Sequence, residues 1–456
     1  EAGKSRREPL GRRYSVRRED VFNQFPDQYS PFLALPGGVG ETIRDGLSSI
    51  KGYEGTVFRM HLRNRPSEIS ASLCAGDAVE RELKRFAKSA AAGLVMCHYL
   101  QRIDVSVRRR SAQSSERVFS SRIRRGGGHR KRREAATDAE WSKSSLNVMF
   151  RGYAAPRGTY KVMVSTTTMK EDRGDGVTAG GDGEGSRAGG LEQEVEDQWL
   201  LSYVLAPPAA RALALSNEYS GENLTPLMTC ASLVNRSITT DGQRSAQELP
   251  SVRGRLFVGQ DSSIPTGLPF NVDGPFFVTL KGNKRCLVMN RRDDAATHAV
   301  RSSALAPWHW NKELFTSVCT ELVPEHMMDL RDALNGNDPG SLYRFWPSAK
   351  RAQKPFSIML PTQMYLRLGE LPLYLSRSRN ASDGGFKRMK EGYFKTQAVS
   401  ALVEEYIRRH VNLFSVPHTV TEDLARQPGV SVQQITPASV RQFLCRSPGN
   451  IVRTAV

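Results

Sequence analysis

The stretch that decides the fold is Arg255-Leu-Phe-Val-Gly-Gln-Asp-Ser-Ser-Ile-Pro-Thr-Gly-Leu-Pro-Phe-Asn-Val-Asp-Gly-Pro-Phe-Phe-Val-Thr-Leu280. Short apolar runs alternate in it with two turns, Thr266-Gly-Leu-Pro269 and Asp273-Gly274. Apolar runs bounded by Gly, Pro and Asp are typical of strands that are joined by tight turns. The stretch therefore predicts a strand–turn–strand unit, and the pattern continues to about residue 289.

The composition indicates a multidomain protein. The chain has 456 residues, 39% of them hydrophobic, which is enough for packed cores in two to four domains. No apolar run approaches membrane-spanning length, and the first residues lack an apolar signal core, so we expect a cytoplasmic protein that makes no membrane contact. Because residue 1 is Glu and not Met, we expect a fragment of a longer protein. Scattered cysteines exclude a disulfide framework and a zinc motif: Cys74, Cys97, Cys230, Cys286, Cys319 and Cys445.

The net charge of +18 raises the question of nucleic-acid binding. Much of it comes from one tract, Arg108–Arg133, where eleven Lys or Arg residues face a single acid, Glu116. The tract contains Gly126-Gly-Gly128 and no periodic apolar face, so we expect residues 108–143 to be a disordered, solvated basic insert. RNA binding through phosphate contacts of this tract stays open as an alternative.

A second insert is acidic. Residues 171–190 hold eight glycines, and Glu171–Asp197 carries nine acids against two arginines. The acids lack the spacing of a calcium loop. We expect residues 171–197 to be a flexible linker without a metal site.

Hydrophobic periodicity predicts the elements around the two inserts. Period-2 alternation indicates strands, and spacing of three and four residues indicates helices. For the helix at Ala78–Ala92, Asp77 is the expected N-cap and Gly93 the expected stop. The predicted strands are Thr56–Arg63, Ile103–Val107, Leu146–Tyr153, Tyr160–Ser165 and Trp199–Val204, with a buried strand or short helix at Leu94–Leu100.

Helical patterns dominate the last part of the chain. A helix is predicted over Trp310–Leu334, where Pro324 should kink or split it because proline lacks the amide donor. Further helices are predicted at Ala209–Ser216, at Gln397–Phe414 and from Pro437.

Motifs of hydrolases and of phosphate loops are absent: the sequence has no His-Glu-x-x-His, no Gly-x-Ser-x-Gly and no Walker loop. Two pairs, His326 with Asp329 and His309 with Glu313, have helical spacing, which we interpret as core or surface pairs and not as metal sites. We interpret the aromatic clusters Trp308-His-Trp310 and Tyr343-Arg-Phe-Trp-Pro347 as packing anchors, with ligand stacking as the alternative.

Several blocks resemble, in the same order, the repeats of sacsin-type proteins, relatives of the ninety-kilodalton heat-shock chaperone. From the first block to the last, they are spread over most of the chain outside the two inserts. The blocks are Phe22-Asn-Gln-Phe-Pro-Asp-Gln-Tyr-Ser-Pro-Phe-Leu33, Gly55-Thr-Val-Phe-Arg-Met-His-Leu-Arg-Asn64, Ser67-Glu-Ile-Ser70, Gly93–Asp104, Thr266-Gly-Leu-Pro-Phe-Asn-Val-Asp-Gly274, Trp310-Asn-Lys-Glu-Leu-Phe315 and Ser431-Val-Gln-Gln-Ile-Thr-Pro-Ala-Ser-Val-Arg-Gln-Phe-Leu444.

The resemblance implies an α+β fold in successive parts. Residues 1–107 would be the C-terminal part of a Bergerat-type ATP-binding domain, an α/β sandwich remnant. After the basic insert 108–143, residues 144–335 would form a mixed-sheet middle α/β domain that includes the acidic insert. Residues 336–456 would form a helical extension.

The resemblance also implies a function, that of a molecular chaperone or co-chaperone that binds client or partner proteins. ATP and magnesium are expected only in a full-length parent, because this chain has no Glu-x-x-x-Asn-x-x-Asp-Ala run and no Gly-x-Gly-x-Gly-Phe turn, and Gly37-Gly-Val-Gly40 after Pro36 predicts a simple turn. By the resemblance, Arg285, beside Lys284, is the candidate for a residue that stabilises a γ-phosphate, with a surface arginine as the alternative. A catalytically inactive scaffold and an RNA-associated protein remain the alternative functions.

Overall fold

The computed structural model of the chain describes residues 66, 73, 75–97, 100–107, 116–125, 157–169, 192–205, 208–215, 227–240, 242–250, 253–258, 261–281, 284–289, 307–335, 338–354, 356–359, 361–376, 385–395 and 400–446. Two predicted strands, Thr56–Arg63 and Leu146–Tyr153, lie outside these residues. The same holds for the glycines at 126–128, the turn at 37–40 and the resemblance block at 22–33.

The chain divides into two compact units. The smaller unit comprises Glu1–Phe86 and Asp104–Phe119, and within it the rings of Phe86 and Phe119 lie 6.1 Å apart between centroids. The larger unit comprises Ala87–Ile103 and Ser120–Val456. Three elements have residues in both units: helix α1 (Gly76–Met96), strand β1 (Arg102–Val107) and strand β2 (Glu116–Arg125).

The main sheet is mixed, which confirms the α+β class. Its order is β1, β2, β3 (Arg157–Met169), β4 (Glu192–Leu205), β5 (Leu227–Thr240), β9 (Asn271–Asp273), β7 (Arg255–Val258) and β8 (Asp261–Pro265), with β6 (Gln243–Ala246) paired to β5. Neighbours β3, β4 and β5 are antiparallel, whereas β7 and β9 are parallel.

Helices cover both faces of this sheet, because side chains alternate between the faces along each strand. On β4, Trp199 and Leu201 pack with Leu94 of α1, whereas Leu200 and Val204 join the larger core on the opposite face. That larger core also contains helix α2 (Pro208–Leu215), helix α3 (Pro307–Ser317), a π-helical turn (Val318–Leu322) and helix α4 (Val323–Leu334).

The π-helical turn explains how the chain accommodates Pro324. Proline cannot donate the backbone hydrogen bond of an α-helix, and its ring collides with the carbonyl four residues earlier. The amide of Val323 donates to Val318 O, five residues back, so the register widens just before the proline. The expected kink or split at Pro324 takes the form of this change of register: the backbone is helical on both sides of the π-helical turn, and α4 has Pro324 in its first turn.

The C-terminal part is not only helical, and this prediction is corrected. It contains a second sheet in the order β13 (Gly385–Lys387), β12 (Tyr374–Ser376), β15 (Asn412–Phe414) and β14 (Gly392–Phe394). The predicted helix at Gln397–Phe414 covers only Ala401–Arg408 in the described residues, because Asn412–Phe414 pairs in parallel with Gly392–Phe394. The elements are a 3-10 turn (Pro339–Phe345), α5 (Phe356–Met359), α6 (Pro361–Glu370), β12 (Tyr374–Ser376), β13 (Gly385–Lys387), a 3-10 turn (Met389–Glu391), β14 (Gly392–Phe394), α7 (Ala401–Arg408), β15 (Asn412–Phe414), α8 (His418–Ala425) and α9 (Pro437–Arg446).

Three further boundaries differ from the sequence-based expectation. Strand β2 lies inside the insert 108–143 that we expected to be disordered, because Phe119 and Ile123 are buried. Strand β4 starts at Glu192, inside the predicted linker 171–197, where it pairs with β3. Helix α1 continues past Gly93, since burial of Leu94, Val95 and Met96 outweighs a glycine cost of about 1 kcal/mol.

The stretch Arg255–Leu280 does form strands and turns, and it supplies more than one sheet. It contributes β7, β8 and β9 to the main sheet and the first strand of a separate hairpin, β10 (Val278–Lys281) with β11 (Lys284–Leu287). Its Thr-Gly-Leu-Pro turn also contacts a distant loop, because Gln353 N donates to Thr266 O at 2.8 Å. Gly267 there has φ +72°, and a Cβ on it would lie 2.1 Å from Arg351 O.

We expect Gly267→Ala to lower the free energy of unfolding by about 3 kcal/mol or more, since it adds a backbone collision to left-handed strain. Gly242 is the matched control, because its φ is +77° and a Cβ there would meet nothing within 4 Å. Gly242→Ala should cost only the strain, about 1–2 kcal/mol. Urea denaturation of both variants measures the difference, and equal losses would contradict the close approach at Gly267.

Candidate functional site: a buried polar ladder beneath helix α4

Helix α4 lies across β3, β4 and β5 over a row of hydroxyl groups. Thr159 on β3 is directly opposite Ser202 on β4 in the antiparallel register. Ser232 on β5 is opposite Leu200, two residues from Ser202 and on the same face. The hydroxyls of three adjacent strands therefore point toward the same helix.

Two side chains of α4, three residues apart, bind this row. His326 contacts Ser202 Oγ through Nδ1 and Ser232 Oγ through Nε2, both at 2.8 Å. Asp329 accepts from Ser202 Oγ at 2.7 Å and from the hydroxyl of Thr159. We name these five residues the polar ladder.

The hydrogen bonds of the ladder fix the tautomer of His326. The hydroxyl proton of Ser202 is donated to Asp329 Oδ2, so its oxygen must accept from Nδ1–H of the imidazole. Nε2 then carries the lone pair and accepts from Ser232. Neutral His326 thus uses one donor and one acceptor, and both are satisfied.

Burial keeps His326 neutral. Its relative exposure is 0%, as is that of Ser232, and the ring of Phe270 stands edge-on at 5.4 Å between centroids. Desolvation lowers the pKa of His326 from 6.5 to about 3. The ladder is therefore a hydrogen-bonded network inside an apolar core, where a missing partner is costly.

One ion pair extends the ladder toward the surface. Arg157 NH1 lies 3.0 Å from Glu325 Oε1, and both side chains are partly exposed. Pairs of this kind contribute about 0–1 kcal/mol because water screens them. Glu325 is thus an orienting contact for α4 and not its main anchor.

The arrangement supports positioning and not hydrolysis. In a Ser–His–Asp triad the acid holds the histidine, whereas here Asp329 accepts from Ser202. Both imidazole nitrogens are occupied, and Ser232 is fully buried, so a substrate has no access to it. Of the two readings that we left open for His326 and Asp329, a core or a surface pair, the structure shows the first for His326, which is fully buried, whereas Asp329 is partly buried. In the described part of the chain, no group of three or more His, Cys, Asp or Glu residues could hold a metal ion.

The sequence reasoning did not identify the strand half of the ladder. Ser202 stands in Trp199-Leu-Leu-Ser-Tyr-Val204, at an alternating position that should face a core. A hydroxyl at such a position needs a buried partner. That requirement was the available signal for Ser202 and Ser232, but it could not name His326 as the partner.

A second buried polar junction lies at the start of α3. Asn311 accepts from Phe277 N at 2.8 Å and donates to Phe277 O at 2.7 Å and to Val288 O at 2.9 Å. Trp310 Nε1 donates to Pro275 O at 2.8 Å. Of the predicted Trp308-His-Trp310 anchor, Trp310 is fully buried and therefore packs as expected, and Asn311 is a buried polar residue that the sequence analysis did not single out.

The second predicted anchor also serves packing. The Tyr343 hydroxyl donates to Leu373 O at 3.0 Å and accepts from Leu375 N at 2.7 Å. It thereby ties the 3-10 turn to β12. The other histidine pair, His309 with Glu313, is partly exposed and 3.9 Å apart.

The candidate Arg285 lies on β11 and is exposed, directly across the hairpin from Leu280. It belongs to neither the polar ladder nor the Asn311 junction. Most of the basic tract Arg108–Arg133 and of the acidic insert falls outside the described residues. None of the described helices is both long and apolar enough to cross a bilayer.

We expect acid to destabilise the protein through His326. The unfolded chain binds a proton near pH 6.5 and the folded chain only near pH 3, so stability falls as pH drops through this window. Between pH 7.5 and 5.5 the loss should be about 1.4 kcal/mol. Urea unfolding at both pH values measures it. His326→Gln should lack this component and His309→Gln, at a partly exposed position, should retain it, whereas equal slopes for all three proteins would contradict the assignment.

We expect alanine substitutions of the two serines of the ladder to lower the free energy of unfolding by different amounts. Ser202→Ala removes the acceptor of an imidazole N–H and a donor to a carboxylate, for about 2–3 kcal/mol of unfolding free energy. Ser232→Ala leaves only one imidazole lone pair unmet, for about 1–2 kcal/mol. Exposed Ser245→Ala, on β6, is the control and should stay within about 0.5 kcal/mol. A Ser202→Ala protein as stable as this control would refute the ladder.

Comparison with known proteins gives no relative for this chain. No family model matches it, and no curated protein and no solved structure matches it at the significance that we required. The resemblance to sacsin-type repeats therefore stays a prediction from the sequence.

Proposed function

We propose that this chain is a sacsin-type chaperone module that binds client or partner proteins, with nucleotide control from residues outside it. One observation carries the proposal. Residues 266–277 connect three parts of the molecule: the sheet through β9, helix α3 through Pro275 and Phe277, and the 346–353 loop through Thr266. A segment of this kind can transmit a displacement from one part to the others.

Two of the blocks that resemble the family coincide with these connections. The Thr266–Gly274 block supplies the turn and β9, and the Trp310–Phe315 block supplies the two side chains that bind Pro275 and Phe277. The Ser431–Leu444 block contains the start of α9 at Pro437. A coupling function needs residues that join separate elements. Here such residues lie within the blocks that carry the resemblance.

The mechanism that we propose is a population shift between two packings of these elements. Satisfied hydrogen bonds at the ladder and at Asn311 hold each helix in one discrete position on its strands. Packed interfaces of this kind switch between arrangements and do not deform continuously. A partner that binds one arrangement better would then change the packing of the downstream helices.

ATP, magnesium and the role of Arg285 remain part of the same proposal. The sequence lacks the acidic and glycine-rich motifs that hold a nucleotide, so the phosphates would have to be bound by another part of a longer protein. Arg285 is exposed and could reach such a phosphate from the hairpin. The chain alone is expected to bind Mg-ATP only weakly.

The test is protection of an unfolding enzyme. We expect the purified chain to reduce light scattering from heat-denatured citrate synthase, to the same extent with and without Mg-ATP, and isothermal calorimetry should detect no tight nucleotide binding. Serum albumin at equal mass is the control for crowding. Scattering equal to that with albumin would contradict the chaperone function and favour an inactive scaffold. Tight magnesium-dependent ATP binding would contradict the missing nucleotide site.

A further inference from the structure

One face of strand β2 carries exposed basic side chains. Ser121 and Ile123 are buried. Arg122 and Arg124 alternate with them along the strand and are exposed. Because successive side chains of a strand point to opposite faces of the sheet, the two arginines project from one face, about 7 Å apart along the strand. Part of the basic tract that we expected to be disordered thus presents its charges at fixed positions.

A lysine of the neighbouring strand β3 lies on the same face. Ile123 of β2 and Val162 of β3 belong to one buried cluster, which also contains residues of helix α1. Lys161 precedes Val162 and therefore projects from the opposite face, as the two arginines do. It is exposed as well. The two strands are adjacent in the sheet, where Ser121 Oγ lies 2.8 Å from Thr166 Oγ1.

The three basic side chains are unpaired. Within the part of the chain that the structure describes, Arg122, Arg124 and Lys161 make no salt bridge. Residues 120–125 and 157–169 contain no Asp or Glu. Cations that lack a counter-charge repel one another, and a bound anion would replace this repulsion by attraction. This side of β2 and β3, which we name the basic face, is therefore complementary to a negatively charged partner.

Two neighbouring elements bound the basic face. Helix α4 lies over the same side of the sheet at Thr159, a hydroxyl of the polar ladder. On β4, Glu196 is opposite Ser165 and pairs with an arginine of β6. Glu194 is opposite Thr167 and is exposed, so it would repel an anion. An anionic chain therefore fits along β2 and the adjoining side of β3, and not across β4.

The other groups of the basic face suit phosphates. Ser165 and Thr167 are partly exposed on this side of β3. Phosphate oxygens accept hydrogen bonds from the side chains of Arg, Lys, Ser and Thr. Among the described residues of β2 and β3, this face has no aromatic side chain and no exposed large apolar one. An acidic protein segment would find no apolar contact to anchor it, and a nucleobase no ring to stack on. The phosphates of a nucleic-acid strand need neither.

We propose that the basic face binds single-stranded nucleic acid through its phosphates, without reading the bases. Arg122 and Arg124 would contact successive phosphates as bidentate donors, and Lys161 would add a third contact. A single strand is flexible enough to follow side chains on a sheet face, whereas a duplex holds its phosphates on a stiff, curved surface. This surface goes beyond the chaperone proposal and does not depend on it.

The probe is a fluorescein-labelled oligouridine of about twelve nucleotides, and the measurement is fluorescence anisotropy on the full chain at about 50–200 mM salt. The test variant combines Arg122→Gln with Arg124→Gln. Each phosphate contact of a single strand contributes about 0.7 to the slope of log K against log salt concentration. Loss of two contacts should therefore reduce the slope by about 1.4 and the affinity at low salt by about tenfold or more.

Three further variants serve as controls. Arg122→Lys with Arg124→Lys keeps both charges and should keep most of the slope. Lys312→Gln with Arg441→Gln removes two exposed cations of helices that also make no salt bridge in the described residues, and should change the affinity less than about twofold. Replacement of residues 130–133, Arg-Lys-Arg-Arg, by glutamines examines the part of the basic tract that follows β2.

Circular dichroism melts establish that every variant is folded before binding is compared. Equal losses in the glutamine variant of β2 and in the Lys312 and Arg441 control would show that only the overall charge of the chain attracts the strand, and would overturn the proposal. A loss confined to the 130–133 variant would place binding in the tract after β2 and would overturn it too. Tighter binding of an oligoglutamate peptide of equal charge would replace the nucleic acid by an acidic protein.

Discussion

The structure depends on one constraint, that a polar group removed from water must find a partner. Helix α4 covers three strands that place hydroxyls into an otherwise apolar core, and an unpaired group there costs about 1–3 kcal/mol. His326 and Asp329 supply the partners, and neutral His326 matches its one donor and one acceptor to two serines. The helix can therefore provide hydrogen-bond partners for the hydroxyls of the sheet in one register only. A slip by one residue would leave the imidazole and the hydroxyls unmet.

The same constraint recurs at Asn311, on the neighbouring helix. Its side-chain amide makes three hydrogen bonds to backbone atoms at the base of the β10–β11 hairpin. The π-helical turn between α3 and α4 shifts the hydrogen-bond register just before Pro324, and the backbone on either side of it is helical. Hydrogen bonds of His326, Asp329 and Asn311 thus join the helices to the sheet and to the hairpin within an apolar core. Such junctions are the parts through which movement of one element would reach the next.

The sequence predicted which helices and strands are present more accurately than the residues at which they begin and end. Strands at Ile103–Val107 and Trp199–Val204, the helix near Pro208, an irregularity of the helix just before Pro324 and the helix start at Pro437 are all present. The errors share a cause. Helix α1 continues past Gly93, and Asn412–Phe414 forms a strand although its sequence pattern is helical. In both cases burial or strand pairing outweighed local propensity. Strand β2 was missed because arginines alternate with its buried Phe119 and Ile123 and mask the apolar face.

By itself, the sequence determined which segments alternate, where prolines and glycines interrupt them, and that His326 and Asp329 share a helix face. Those properties depend on neighbours within a few residues, so periodicity and backbone sterics suffice to read them. Only the tertiary structure decided that Ser202 and Ser232, thirty residues apart, meet the same imidazole. Only the tertiary structure placed Leu280 and Arg285 side by side and exposed. Contacts between distant residues follow from strand register, and register is fixed by the whole core and not by any local pattern.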